Sequence, residues 1–333
     1  MTQLFLASSP MNILKSLVMI QNLDNSSYLL IEVFDKGATL NLDYYENLKA
    51  KIDQLSIKNL LGVEIVISPK KMIGRLESLI TDLNLDLSKV SDVYTANVWT
   101  TGISKLTRWV FQRYRFSRKV KIHVVEDGTK MYLGNFEGMQ NPSLKRRVKA
   151  LLLSDLNVLD SPKIFDWIVE DKSHYEFVRR PLHEFKLTSY RENLRELTKL
   201  FLTETDIRQL EQLSNTSDRM AIVFTQPLFK SGLIKSIDQQ VQIVNSLINK
   251  FSSSDYLFFL KLHPADKADY SKVDVPVTIL GNFPSEFFEA FDVNFDMSLG
   301  LFSSAVESVK ALIYVYDVSE YNKRAIEQIK LNI

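Results

Sequence analysis

The chain contains no cysteine among its 333 residues. This absence excludes disulfide bonds, thiolate nucleophiles and thiolate metal sites, and it suits a reducing cytoplasm. An excess of either charge is also missing, because 41 lysines and arginines stand against 40 aspartates and glutamates, for a formal net charge of +1. The overall charge therefore gives no reason to expect a nucleic-acid partner, and any basic surface must be local.

Long apolar runs are absent as well. No run approaches the roughly 18 to 20 residues that span a bilayer, and the apolar run 256–262 has only the length of a strand. Residues 1–10 lack the basic start and the sustained apolar core of a signal peptide. We therefore expect a cytoplasmic protein, soluble or peripheral on the inner face of the membrane, whose mature form begins at this segment.

Short apolar runs alternate with amphipathic stretches along the chain. This alternation predicts an α/β protein in which helices cover parallel sheets. The predicted strands are 4–7, 28–33, 62–67, 120–125, 221–224, 256–262 and 277–280. The predicted helices are 12–21, 71–83, 143–153, 190–201, 204–213 and 236–251.

The strands fall into two blocks, which indicates two domains. We predict a first Rossmann-like domain over 1–165, a helical connector over 166–215 and a second Rossmann-like domain over 216–318. The polar stretch 214–218 is typical of a linker or turn. Residues 319–333 are predicted to form a C-terminal helix that packs back on the first domain.

Residues that directly follow strands carry most of the functional information, because ligands of open parallel sheets bind beyond the carboxyl ends of the strands. Glu126, Asp127 and Gly128 follow the predicted strand 120–125. One of these carboxylates could act as a general base. An acidic pair before a glycine is also common in plain turns, so this motif alone leaves both interpretations open.

Two further motifs follow strands in the second block. His263 and Pro264 end the strand 256–262, where an imidazole could contact a phosphate or could be an ordinary surface residue before a turn. Ser303 and Ser304 precede 305–310, which is predicted to form a helix. Serines at a helix start either cap the helix or supply donors to a phosphate.

The three motifs in this order resemble those of bacterial sialyltransferases of the glycosyltransferase-B type, which include capsular polysialyltransferases and lipooligosaccharide sialyltransferases. That family shares an acidic-acidic-Gly motif, a His-Pro motif and a later Ser-Ser or Ser-Thr motif. The segment 282–286 also resembles the family segment whose glutamate binds the nucleotide ribose. The resemblance extends from residues 8–10 to the serine pair, and it implies two Rossmann-like domains that face a cleft.

The resemblance implies a role for each motif residue. Glu126 corresponds to the general base, while His263, Pro264, Ser303 and Ser304 hold the donor phosphate and His263 is a second catalytic residue. Glu286 corresponds to the ribose-binding glutamate. Supporting roles fall to Asp127, Gly128, Ser9 and Lys261.

The implied reaction transfers sialic acid from CMP-sialic acid to an oligosaccharide or glycolipid acceptor, with inversion, in capsule or lipooligosaccharide synthesis. No cofactor and no metal are expected, since the donor carries a single phosphate. His123, His174 and His183 are predicted to be structural or surface residues, because none lies at ligand spacing from a carboxylate and a second histidine. The alternatives are a same-fold glycosyltransferase that uses CMP-Kdo or a UDP-sugar, and a non-catalytic glycan-binding subunit for capsule assembly.

The segment 105–119 is strongly basic and contains interleaved aromatic residues. It is a candidate for contact with anionic lipid or an anionic glycan. The alternative is a solvated helix face whose aromatic residues pack inward.

Overall fold

The computed structural model describes residues 2–34, 42–68, 86–96, 105–114, 117, 119–126, 144, 164–176, 178–252, 255–301 and 304–316. The chain divides into two compact units, Met1–Leu200 and Phe201–Ile333. The predicted helices 71–83 and 319–333, and all of 143–153 except Leu144, lie outside the described residues. Within the described part of the chain, no helix is both long and apolar enough to cross a membrane.

Within the described residues, the first unit is built on a sheet of seven parallel strands in the order β3-β2-β1-β4-β5-β6-β7. The strands are β1 (Thr2–Ala7), β2 (Ser26–Phe34), β3 (Leu60–Ser68), β4 (Val90–Thr95), β5 (Lys121–Val125), β6 (Ile164–Val169) and β7 (Leu182–Glu184). Its α-helices are α1 (Pro10–Asn22), α2 (Leu42–Gln54), α3 (Lys105–Arg113) and α4 (Arg191–Lys199). Single 3-10 turns occur at Leu87–Lys89, Lys172–Tyr175 and Leu187–Tyr190.

Helix α1 follows β1 closely, and its N-terminus is capped. Ser9 is the N-cap residue, and its hydroxyl accepts a hydrogen bond from the backbone N–H of Asn12. Pro10 follows at the first helical position, where its missing N–H has no intrahelical partner to lose. Ser9, predicted to support the site, therefore caps α1 and fixes where this helix starts.

The second unit contains a sheet of five parallel strands in the order β10-β9-β8-β11-β12. The strands are β8 (Arg219–Phe224), β9 (Tyr256–Lys261), β10 (Val277–Leu280), β11 (Asn294–Gly300) and β12 (Lys310–Tyr316). The helices are α5 (Glu204–Asn215), α6 (Ile237–Asn249) and α7 (Phe287–Ala290). Apolar residues of α6 pack with those of the central strands to form its core.

Two predictions about these elements need correction. The connector predicted over 166–215 contains most of β6 and all of β7, and Trp167 is fully buried in the core of the first sheet. The first unit therefore continues to Leu200. The helix predicted at 305–310 is only a 3-10 turn, Ser304–Glu307, because the chain already pairs with β11 from Lys310 onward.

A row of polar and aromatic side chains crosses one face of the first sheet. Gln3 Nε2 lies 3.5 Å from the hydroxyl of Tyr94, whose ring stacks on that of His123 with centroids 4.4 Å apart. His123 Nδ1 is 2.6 Å from an oxygen of Asp166, and its Nε2 is 3.1 Å from an oxygen of Asp92. The imidazole is thus buried between two carboxylates.

Opposing effects act on the pKa of His123. Burial disfavours the charged ring, whereas the hydrogen bonds and charges of Asp166 and Asp92 favour it, and the pKa is raised on balance. The hydrogen bond from His123 in turn lowers the pKa of Asp92. A charged His123 donates from both ring nitrogens, so it is a structural link between β4, β5 and β6.

We expect the stability provided by His123 to depend on pH. Because its pKa is raised in the folded state, this contribution is complete below the ordinary value of 6.5 and is lost as the pH rises through the folded-state value. His123→Asn should lower the free energy of unfolding by about 3 kcal/mol at pH 5.5, and by less at pH 9. Urea denaturation measures both values, with the exposed His174→Asn as a control, and an equal loss at both pH values would contradict this assignment.

Candidate active site

Glu126 directly follows β5 at the carboxyl edge of the first sheet and is held at three points. Its backbone N–H donates to the carbonyl of Ile168 at 2.9 Å, which continues the pairing with β6. Its backbone carbonyl accepts a hydrogen bond from Lys15 Nζ at 3.2 Å. Its carboxylate accepts one from the backbone N–H of Glu170 at 2.6 Å. These contacts fix both the main chain and the side chain of Glu126, which is 4% exposed.

Burial raises the pKa of the Glu126 carboxyl, because the carboxylate loses its hydration. The N–H of Glu170, the charge of Lys15 and the hydroxyl of Tyr175 act in the opposite direction, while the charge of Glu170 adds to the increase. The net effect is a raised pKa. A carboxylate with a raised pKa is better matched to taking a proton near neutral pH than an ordinary surface glutamate.

Lys15 and Glu170 are components of this site that sequence reasoning missed. Lys15 lies on α1 and is 5% exposed, and its Nζ is 2.9 Å from an oxygen of Glu170, just after β6. It is separated from Glu126 by 111 positions in sequence. The local signal is a lysine within the stretch 13–20, which is otherwise apolar apart from Ser16, and a lysine is unusual in a buried helix.

His263 lies at the carboxyl edge of the second sheet, in the loop after β9. Its backbone N–H donates to the hydroxyl of Thr225, at the end of β8, at 3.1 Å. Its ring Nδ1 accepts a hydrogen bond from the backbone N–H of Ala265 at 3.0 Å. The side chains of His263 and Pro264 are exposed, so the loop presents the imidazole while its backbone is held in place.

A cluster of buried polar side chains holds the loop that contains His263. The hydroxyl of Tyr270 donates to Asp266 at 2.7 Å, and Gln240 Nε2 on α6 lies 3.2 Å from that hydroxyl. Gln240 also donates to the other oxygen of Asp266 at 2.5 Å. The backbone N–H of Asp266 donates to the carbonyl of His263 at 2.8 Å, which joins the cluster to the histidine.

Lys261, the last residue of β9, is buried rather than directed into solvent. Its ammonium donates to the carbonyl of Gly281 and lies 4.2 Å from the centre of the Phe283 ring. Burial lowers its pKa to about 8, against the charges of Asp206 and Glu286, which favour the ammonium form. Lys261 therefore holds the segment 281–283, and its supporting role at the site stays a prediction.

Gly281 is required by close packing against α5. A Cβ atom at this position would lie 1.8 Å from an oxygen of Asp206. Asp206 cannot easily move aside, because its carboxylate is bound to Thr203 in the capping box of α5. The first helix of the second unit thus supports the loop that carries Glu286.

Glu286 is exposed and precedes α7. The hydroxyl of Ser285 lies 3.4 Å from one of its carboxylate oxygens. Ser308 donates to that hydroxyl at 2.6 Å, and this residue directly follows the turn Ser304–Glu307. The loop that carries Glu286 and the segment after the serine pair are therefore in contact.

The predicted site residues fall into those that the structure describes and those that it does not. Asp127, Gly128 and Ser303 lie outside the described residues, and only the backbone of Ser304 is described. The structure places Lys261, His263, Glu286 and Ser304 at one edge of the second sheet and Glu126 at the corresponding edge of the first sheet. Each unit thus presents polar groups beyond the carboxyl ends of its strands, where ligands of such sheets bind.

One argument from the sequence about the histidines outside the His-Pro motif needs correction. His123 and His183 both contact Asp166, the latter at 3.2 Å, although no such grouping is visible in the sequence. Among the residues that the structure describes, no group of three or more His, Asp and Glu side chains is arranged to hold a metal ion. His123 is buried and His183 is exposed, but the reason given for these assignments, that neither lies with a carboxylate and a second histidine, is wrong, because both contact Asp166.

The basic segment 105–119 is described in part. Trp109 and Tyr114 are buried in the core of the first unit, so these two aromatic residues pack inward. Arg113 is exposed. Contact of this segment with lipid or glycan stays a prediction.

The family model of glycosyltransferase family 52 matches residues 30–318 of the chain. No curated protein matches the chain significantly. Among solved structures, an α/β-galactoside α-2,3-sialyltransferase from the luminous marine bacterium Photobacterium phosphoreum is similar, with a TM-score of 0.57 and 15% identity, over 99% of this chain and 95% of that chain. A UDP-GlcNAc 2-epimerase from Methanocaldococcus jannaschii is also similar, with a TM-score of 0.51 and 11% identity, over 98% of this chain and 92% of that chain.

These comparisons confirm the predicted α/β fold of the glycosyltransferase-B type, because the structural matches cover nearly the whole chain. At such low identity they show the fold alone. The family match, which covers most of the chain, confirms the resemblance to the bacterial sialyltransferases and the predicted enzyme class. The chain belongs to glycosyltransferase family 52.

Proposed function

We propose that the protein is an inverting sialyltransferase that moves sialic acid from CMP-sialic acid to a hydroxyl of a glycan acceptor. The observation that carries this proposal is the buried Glu126 at a sheet edge, whose carboxylate accepts a hydrogen bond from the N–H of Glu170 and whose backbone carbonyl accepts one from Lys15. Family membership supports it, and so does the likeness to an α-2,3-sialyltransferase. The acceptor is an oligosaccharide or glycolipid, in capsule or lipooligosaccharide synthesis.

In this proposal Glu126 acts as the general base. Its carboxylate takes the proton from the acceptor hydroxyl while that oxygen attacks the anomeric carbon of the sialic acid. A bond forms between the acceptor oxygen and the anomeric carbon, and the bond from this carbon to the phosphate oxygen of CMP breaks. Attack from the face opposite the leaving group inverts the donor's β linkage to an α linkage.

The groups at the edge of the second sheet act on the donor. The exposed ring of His263, on a loop that is fixed by Thr225 and Asp266, stabilises the phosphate as the CMP leaves. Pro264 stiffens this loop, and Ser303 and Ser304 supply further donors to the phosphate. Glu286 binds the ribose, with Lys261 holding its loop.

No metal or cofactor takes part in the proposed reaction, since the single phosphate of CMP needs no divalent clamp of the kind that diphosphate donors use. The enzyme works in the cytoplasm, where CMP-sialic acid would be its soluble substrate. The basic segment 105–119 is the surface through which it would reach the inner face of the membrane. Arg113 is an exposed cation within this segment.

Loss of the base should abolish most of the transfer. We expect Glu126→Gln to lower the rate of transfer from CMP-Neu5Ac by about 10²- to 10⁴-fold, and His263→Ala to lower it by about 10²-fold. Product formation with lactose and with a sialylated lactoside measures both effects. If purified, folded wild-type protein neither transfers sialic acid nor releases CMP with several acceptors, the proposal is wrong.

The same Glu126→Gln variant should be more stable than the wild type at neutral pH. Because burial raises the pKa of Glu126 above its ordinary value of 4.5, ionising this group costs free energy in the folded state. The stability of the wild type therefore falls as the pH rises from below 4.5 through the folded-state value, whereas glutamine stays neutral. Urea denaturation at pH 4 and pH 7 should show the advantage of the variant at pH 7 alone, and the exposed Glu184→Gln should show none at either pH.

A second candidate is transfer from a UDP-sugar, which the likeness to a UDP-GlcNAc 2-epimerase favours. Nucleotide binding separates the two candidates, because a ligand that binds the folded state raises stability by mass action, by about 2.7 kcal/mol at a concentration 100 times its Kd. We expect CMP to raise the melting temperature and UDP and GDP to have little effect. Stabilisation by UDP alone would favour the second candidate, and stabilisation by none would favour a non-catalytic role.

A further inference from the structure

We propose that Lys15 and Glu170 form a positioning pair that holds Glu126 and sets the pH at which it can take a proton. This inference rests on the proposed function, because it assigns two new residues to the general base of that reaction. Neither residue belongs to any motif of the sequence, and each acts through Glu126 rather than on the substrate.

The three residues form a closed ring of contacts. Lys15 Nζ lies 3.2 Å from the backbone carbonyl oxygen of Glu126 and 2.9 Å from a carboxylate oxygen of Glu170. The backbone N–H of Glu170 returns a hydrogen bond to the Glu126 carboxylate at 2.6 Å. The ring therefore ties α1, the end of β5 and the end of β6 together around Glu126, the proposed base.

Packing alone gives no reason for a lysine at position 15. The neighbouring residues of α1 are apolar and buried, from Ile13 to Ile20, apart from Ser16. The side chain of Lys15 is only 6% exposed, whereas that of Glu170 is 48% exposed. Burying an ammonium is costly even when it is paired, and an apolar residue often stabilises such a position better. A role in the chemistry next to it explains why a lysine occupies the position.

The pair places opposite charges near the base. Among the described residues, the groups that face Glu126 are Lys15 from α1, Glu170 from the end of β6 and Tyr175 from the 3-10 turn after it. The cation favours the ionised form of Glu126 and the Glu170 carboxylate disfavours it. The two effects on the pKa of Glu126 oppose each other. Removing one residue of the pair therefore leaves the effect of the other unopposed.

Two charge-removing variants test the proposal through the signs of their effects. Lys15→Met keeps the volume of the side chain but removes the cation. Without the cation the pKa of Glu126 should rise, so the acidic limb of the kcat/KM profile should move to higher pH. At a fixed pH on this limb we expect about tenfold less activity. Glu170→Gln keeps the backbone N–H but removes the anion, so the same limb should move to lower pH. A pair that only stabilises the fold would be broken equally by both variants and would leave the limb in place.

The chain offers a matched control in Lys49, in the same unit. Lys49 also donates to a backbone carbonyl, that of Val63, and pairs with a glutamate, Glu64, at 3.2 Å. It lies against β3, which is four strands away from β5 in the sheet. Lys49→Met should lower stability without moving the limb of the pH profile.

A direct titration separates this inference from the proposed function. The Glu126 carboxyl carbon, assigned in glutamate-labelled protein by its loss in Glu126→Gln, can be followed by NMR in every variant without turnover. A pKa of Glu126 that rises in Lys15→Met and falls in Glu170→Gln supports the pair even if the wild type transfers no sialic acid. If transfer occurs but the titration moves in the same direction or not at all in both variants, the inference is overturned. If Lys15→Met does not fold, Glu170→Gln alone tests the inference, and the pKa of Glu126 must fall in that variant.

Discussion

Parallel pairing of the strands is the constraint on which the candidate residues of each unit depend. In a parallel sheet the carboxyl ends of all strands lie along the same side of the sheet. Residues that follow different strands are therefore close in space although they are far apart in sequence. Thr225, His263 and Glu286 follow β8, β9 and β10 in this way. The hydrogen bond from His263 to Thr225 is a local consequence of that shared edge. In the first sheet the same rule places Glu126 beside Glu170.

Burial changes the pKa values of the polar groups at these edges. Glu126 and Lys261 are both about one-twentieth exposed or less, and desolvation moves the pKa of each toward neutrality, upward for the carboxyl and downward for the ammonium. A polar group can be buried at this depth only when hydrogen bonds hold it. The contacts that satisfy these two groups therefore also orient the loops to which they belong.

The sequence predicts the elements whose patterns are local. Strands with largely apolar runs, such as β1, β2 and β9, and the helices α1, α5 and α6 lie close to their predicted bounds. β6 and β7 escape prediction, because β7 is only three residues long and the charged surroundings of both indicate a helical connector. The turn at Ser304–Glu307 resembles a helix start in sequence, since its capping signal is local while the pairing of β12 with β11 is not.

The same division applies to the site. Glu126 and His263 can be singled out because motifs at strand ends carry their own signal. Lys15, Glu170 and Asp206 cannot, because each acts through a contact that only the folded chain creates. Sequence patterns thus single out the candidate groups at the strand ends, while the residues that contact and hold those groups depend on tertiary packing.

The link between Lys15 and Glu126 also bears on how the chain acquires its activity during synthesis. Glu126, the proposed base, is held by one residue from the first helix and another from beyond β6, so its contacts span positions 15 to 170. Contacts between such distant residues form only after the intervening loops have closed. A nascent chain that ends before Glu170 has the sequence motif but lacks the N–H that binds the Glu126 carboxylate, so the proposed base is complete only after residue 170 has been added.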